Sequence, residues 1–62
     1  MKQIRILLVD DQTLFRESIK SVLEMRNPCI QVVAQAADGK EGLELAETLQ
    51  PDIILMDVRM PL

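Results

Sequence analysis

Two stretches of this chain are apolar at nearly every position, and each runs into acid. Ile4-Arg5-Ile6-Leu7-Leu8-Val9 ends at Asp10 and Asp11, and Ile53-Ile54-Leu55-Met56 ends at Asp57. Apolar runs of this length predict strands buried on both faces, so a carboxylate at the tip of each asks for an explanation. Between them the period changes. From Thr13 to Arg26 the residues Phe15, Ile19, Val22 and Leu23 recur at helical spacing, with Arg16, Glu17, Lys20 and Glu24 around the other side. Asn27-Pro28 stops this helix, because asparagine tolerates the left-handed conformation and proline cannot continue the ladder. Residues 30–37 predict a second strand, made wetter by Gln31 and Gln35, as suits a sheet edge. Asp38 with Glu41 three residues later marks a helix N-terminus. Leu43, Ala46 and Leu49, with Gly42 and Leu45 beside them, form the buried side of that second helix. Pro51 follows its end, and residues 52–57 predict a third strand.

The order β-α-β-α-β predicts an α/β fold with a parallel sheet and right-handed crossovers. If strand two lies on one side of strand one and strand three on the other, the helices cover opposite faces. That order, 2-1-3, makes a doubly wound sheet whose ligands bind beyond the carboxyl ends of strands one and three. Neighbouring strands lie about 4.8 Å apart, so Asp10 and Asp11 come close to Asp57. The other order, with strand two in the middle, separates the acids. The pattern leans to the first.

With 62 residues the chain makes one small domain at most, of a size that buries only about 60% of its unfolded surface. Apolar residues are 48% of the sequence, with one Phe and no Trp or Tyr, so the core must be aliphatic. A net charge of −3 with no basic cluster argues against nucleic-acid binding by this segment. No apolar run reaches transmembrane length, and the first meets two aspartates too early for a signal peptide, so no membrane partner is expected. Cys29 is the single cysteine and forms no internal disulfide; with no export signal, a cytoplasmic location is expected.

Clustered carboxylates repel, so such a site must take up a proton or hold a cation. An all-oxygen set suits a hard ion, Mg²⁺ before Zn²⁺, and a backbone carbonyl just past Asp57 is placed to add an oxygen. Asp57, alone on its strand tip, is the natural nucleophile toward phosphorus, and the Asp10-Asp11 pair the natural metal holder. A Mg²⁺-dependent phosphatase of the haloacid-dehalogenase type would need a second Asp two residues after the nucleophile, where this chain has Arg59. Neither a P-loop nor a Gly-rich dinucleotide loop occurs. Plainer roles are also available. Asp11 can serve the helix dipole, Asp57 can end a strand, Asp38-Gly39 can cap and turn, and Asp52 can open strand three. Lys2, Arg5, Lys20 and Lys40 read as scattered solvent charges. Met56 and Met60 read as packing residues, and Cys29 as a small buried apolar group.

Ile6-Leu7-Leu8-Val9-Asp10-Asp11, Ala37-Asp38-Gly39-Lys40-Glu41-Gly42 and Pro51-Asp52-Ile53-Ile54-Leu55-Met56-Asp57-Val58-Arg59-Met60-Pro61 closely resemble the receiver domains of bacterial two-component response regulators. The resemblance covers essentially the whole chain. It implies a flavodoxin-like, CheY-like fold and a signalling domain rather than an enzyme. By position it makes Asp57 the phospho-acceptor, served by a sensor histidine kinase or a small phosphodonor. Asp10, Asp11 and Asp57 become the Mg²⁺ carboxylates, and Arg59 gives its main-chain carbonyl to the metal. Gln12-Thr13-Leu14-Phe15-Arg16 looks most like the NarL/LuxR subfamily, whose members usually add a C-terminal helix-turn-helix. DNA contact would then belong to an output domain outside this chain, in a parent that regulates transcription.

Receivers have five strands and five helices, so residues 1–62 correspond to the N-terminal part of one. The family's phosphoryl-sensing Ser or Thr after strand four, and its Lys after strand five, have no counterpart here. Strand three, central in the family, is then expected to present an apolar edge that invites a second copy of the chain. Hence the alternative function: an interaction or dimerisation module without phosphotransfer.

Overall fold

The computed structural model describes residues 2–57. It contains β1 (Ile4–Val9), α1 (Thr13–Arg26), β2 (Ile30–Ala36), α2 (Gly39–Leu49) and β3 (Ile53–Met56). All three strands are parallel, in the order β2-β1-β3, which is the doubly wound arrangement. α1 has the predicted bounds. β2 stops one residue before the predicted Ala37, and β3 omits Asp52 and Asp57, which serve as its polar ends.

β1 is the middle strand, and its position explains its composition. Leu7 and Val9 pack with Ala34, Ala36, Leu45 and Ala46 on the α2 side. Ile6 and Leu8 pack with Val32, Ile19 and Leu23 on the α1 side. Neither face meets water, so no alternation is needed. β2 reaches both clusters by a device that the sequence does not announce. Ile6 pairs with Val32 but Leu7 pairs with Ala34, so Val33 is an extra residue. This bulge turns the strand over: Ile30 and Val32 face α1, whereas Ala34 and Ala36 face α2.

Several side chains depart from the helical-wheel expectation. Phe15 and Val22 on α1 are half exposed, and Leu43 on α2 is largely exposed. α1 leans chiefly on β2 and α2 on β1 and β2, so only Ile19, Leu23, Leu45 and Ala46 reach the two clusters. β3 presents the apolar edge expected of it. Its four residues, whose pattern alone reads as burial on both faces, are 43–47% exposed, because β3 is an edge strand and both helices sit over the other two.

Several smaller details also differ. Asn27 closes α1 in an extended conformation, its N–H donating to the Leu23 carbonyl; the left-handed residue is Gln50, at φ 48°. Arg5 is no free solvent charge. Its guanidinium donates to the carbonyls of Leu49 (2.8 Å) and Gln50 (3.1 Å), closing the C-terminal end of α2. Asp52 does more than open β3: its carboxylate accepts from the Arg5 N–H and its own N–H donates to the Arg5 carbonyl, each at 2.8 Å. Lys20 likewise has a partner, Glu24, at 3.0 Å, and Cys29 is only half-buried. The Arg5 and Asp52 contacts tie the amino ends of β1 and β3 to each other and to the end of α2.

Candidate metal and phosphoryl-acceptor site

β1 and β3 finish side by side. Val9 pairs with Met56, and the Asp57 N–H then donates to the Val9 carbonyl at 3.1 Å, carrying the ladder one residue past the strand. On the other flank, the Asp10 N–H donates to the Ala36 carbonyl at 3.0 Å. The backbone of both acids is therefore fixed by the sheet. One carboxylate oxygen from each of Asp10, Asp11 and Asp57 lies within 4.8 Å of the others.

The three acids have different surroundings. Asp10 is 7% exposed, and its Oδ1 accepts from the Gln12 N–H at 2.8 Å. This is a local turn bond, which satisfies one oxygen and orients the other. Asp57 is half-buried and Asp11 exposed. Asp11 immediately precedes the N-cap Gln12, outside the first turn of α1. Asp38, by contrast, is the cap expected of it: its Oδ1 accepts from the Glu41 N–H, and Glu41 accepts from the Ala37 N–H, each at 2.8 Å.

The donor set fits a hard divalent cation. It is all oxygen, the chain has no His, and Cys29 lies at the amino end of the sheet, where its carbonyl accepts from the Ile4 N–H. An octahedral Mg²⁺ holds opposite ligand oxygens about 4.2 Å apart, so the spread of the three carboxylates is within a side-chain adjustment of a ligand set. Arg59, expected to add a main-chain carbonyl, lies outside the described residues, as do Val58, Met60 and Pro61.

Beside the acids a cleft of about 520 Å³ opens between α1 and β3, with Asp10 and Asp57 at its head and Phe15, Ile19 and Leu55 along its walls. Arg16 lines it too. The helical pattern put Arg16 on the wet side of α1, yet it is half-buried and donates to the Asp10 carbonyl. The signal for it was faint: a cation at the start of a helix, where the dipole disfavours one.

Residues 6–62 match the response regulator receiver domain family. The chain belongs to that family. As a receiver chain it is 50% identical over 60 residues to protein-glutamate methylesterase/protein-glutamine glutaminase 5 of Geobacter metallireducens, a match that covers 97% of this chain and 16% of that protein. It is 48% identical over 56 residues to the nitrate/nitrite response regulator protein NarL of Escherichia coli, covering 90% of this chain and 26% of that one. Among solved structures it overlays the signal receiver domain of NarL from Mycobacterium tuberculosis with a TM-score of 0.90 and 38% identity, over 98% of this chain and 48% of that one. The response regulator domain of Thermotoga maritima CheB gives 0.88 and 42%, over 97% and 44%. This receiver chain thus spans a sixth to a quarter of these full-length relatives and just under half of the solved receiver chains. Over the chain as a whole, transcriptional regulators and methylesterases match it about equally well.

Proposed function

We propose that residues 1–62 are the N-terminal part of a receiver in which Asp57 accepts a phosphoryl group from a sensor histidine kinase. The observation that carries this is the convergence of three carboxylates from two adjacent strand tips to within 4.8 Å. An Asp57 carboxylate oxygen forms the new bond to phosphorus. The bond that breaks is the one from phosphorus to the kinase imidazole nitrogen, and the released imidazole retains its second-nitrogen proton. Asp57 brings two oxygens, one to hold a cation and one to attack. Asp10 keeps one oxygen on the Gln12 N–H, which leaves the other to serve a cation, and Asp11 completes the acidic set. Mg²⁺, held by Asp10, Asp11, Asp57 and the main-chain carbonyl of Arg59, would supply charge neutralisation for the phosphoryl oxygens. The NarL-like segment Gln12–Arg16 favours a parent that is a cytoplasmic, DNA-binding transcriptional regulator, its DNA contacts made by an output domain outside this chain. Among the described residues no helix is long and apolar enough to cross a membrane.

Intact mass after incubation with Mg²⁺ and acetyl phosphate tests the reading, with Asp57→Asn as control. A phosphoryl adduct lost in Asp57→Asn supports it. A folded sample that forms no adduct sinks it for this chain and leaves the interaction module. One observation favours that second reading: β3 exposes its apolar residues on an edge of the sheet, a surface that a second copy of the chain can cover.

A further inference from the structure

Arg16 occupies a position that its own helix does not favour. It is the fourth residue of α1, where the dipole disfavours a cation. The helix start also has no side-chain cap bond at Gln12 and no acid in its first turn. Local stability therefore does not account for a guanidinium there; its contacts do. One terminal nitrogen donates to the main-chain carbonyl of Asp10. Nε donates to Gln35 Oε1 at 3.1 Å, and the other terminal nitrogen to Thr13 Oγ1 at 3.3 Å.

The Asp10 carbonyl belongs to the peptide that joins Asp10 to Asp11. With the Asp10 N–H on Ala36 and its Oδ1 on the Gln12 N–H, the guanidinium supplies the third fixed point on this residue. With the Asp10 N–H and carbonyl both held, the ψ of Asp10 is set, and with it the direction of its Cα–Cβ bond and the position from which Asp11 departs. We propose that Arg16 is a positioning residue for the acidic site: it clamps the Asp10–Asp11 peptide, with Gln35 on β2 as its second anchor, and so presents both carboxylates toward Asp57. The inference rests on the metal-dependent acceptor reading given above. It requires the planar fork, which reaches three acceptors at once; an ammonium cannot reproduce that geometry.

Arg16→Lys keeps the charge and the helix and is the deciding variant. Mg²⁺ titration by calorimetry is expected to give a dissociation constant about tenfold weaker than wild type, as for other groups that orient metal ligands. Gln35→Ala is expected to weaken binding in the same direction by less. In the metal-free proteins, the Asp11 amide resonance, whose peptide carries the clamped carbonyl, is expected to move in Arg16→Lys with the core resonances unchanged. The rate of acetyl phosphate labelling is expected to recover toward wild type as Mg²⁺ is raised, a split that general loss of structure would not produce. An Arg16→Lys protein that binds Mg²⁺ like wild type overturns the clamp while leaving the acceptor site standing. A folded wild-type chain that binds no Mg²⁺ overturns the reading beneath it, and the clamp with it.

Discussion

At Gly42 a single methyl group decides how closely α2 approaches the sheet. A Cβ built there would lie 2.9 Å and 3.2 Å from the two Val9 methyl carbons, and Val9 is itself fully buried at the centre of the α2-side cluster. Alanine is the better helix former by about 1 kcal/mol, but overpacking a filled core costs about 1–3 kcal/mol. A β-branched neighbour also has little rotamer freedom with which to yield. Gly42→Ala is therefore expected to lose about 1 kcal/mol net, read as a lower urea midpoint; a higher midpoint would show that α2 lifts without cost. Glu24 supports a pH prediction. Its carboxylate accepts from the Val32 N–H at 2.9 Å, beside the bulge, and from Lys20 at 3.0 Å. These contacts, the backbone bond first, hold its carboxyl below the ordinary glutamate value. A folded-state value below the unfolded one gives stability that is present above the unfolded pKa and lost as pH falls through the folded one. Wild type is thus expected to exceed Glu24→Gln in stability at neutral pH, with the gap closing once the solution falls below about pH 4. Parallel midpoint-against-pH curves for the two proteins would remove Glu24 from the account.

The two helices start differently, and that contrast shows what the sequence could reveal. α2 opens on Asp38, bonded to the Glu41 N–H, with Glu41 returning to the Ala37 N–H. Asp38→Ala is expected to cost about 1 kcal/mol, measured as loss of thermal stability at neutral pH, and no loss would mean that the first turn is held by packing alone. This cap was legible because its chemistry is local: two side chains three residues apart need no third element. The acids of the candidate site were legible for a related reason, since each stands where an apolar run stops and strand adjacency brings the tips together. The bulge at Val33 was not, because two valines in a strand look alike whichever of them is the extra residue. The half-exposure of Phe15 and the exposure of Leu43 were not either, since a helical stripe gives the side that can be buried and not how much of it a neighbour covers. Arg5 and Arg16 escaped for the same reason from the polar side. Each finds its carbonyl partners outside its own element, so a wheel drawn from one helix or strand counts it as solvent-facing.

At the scale of the whole molecule, two helices and three strands bury one strand on both faces and leave another uncovered. Ile53, Ile54, Leu55 and Met56 are each 43–47% exposed, and clefts of about 520 and 350 Å³ flank β3 on its α1 and α2 sides. An apolar edge strand with open backbone groups is a template for pairing, and the simplest closed solution is a two-fold dimer with the β3 strands antiparallel. In such a dimer the acids of one copy lie beside the amino end of the other copy's β3. Four strand residues at about 3.3 Å each then separate the two acidic sites, so neither need contribute to the other. Sedimentation equilibrium is expected to show a dimer, with an unfolding midpoint that rises with protein concentration. Ile54→Lys, a charge on the exposed edge, is expected to give a monomer with a concentration-independent midpoint, while Asp57→Asn stays dimeric. A wild-type chain that is monomeric across the concentration range would rule out β3 as a self-association edge and leave the acceptor reading untouched. A dimer that Asp57→Asn disrupts would contradict the separation of the two surfaces, because Asp57 stands at the strand tip, beyond the four residues that pair.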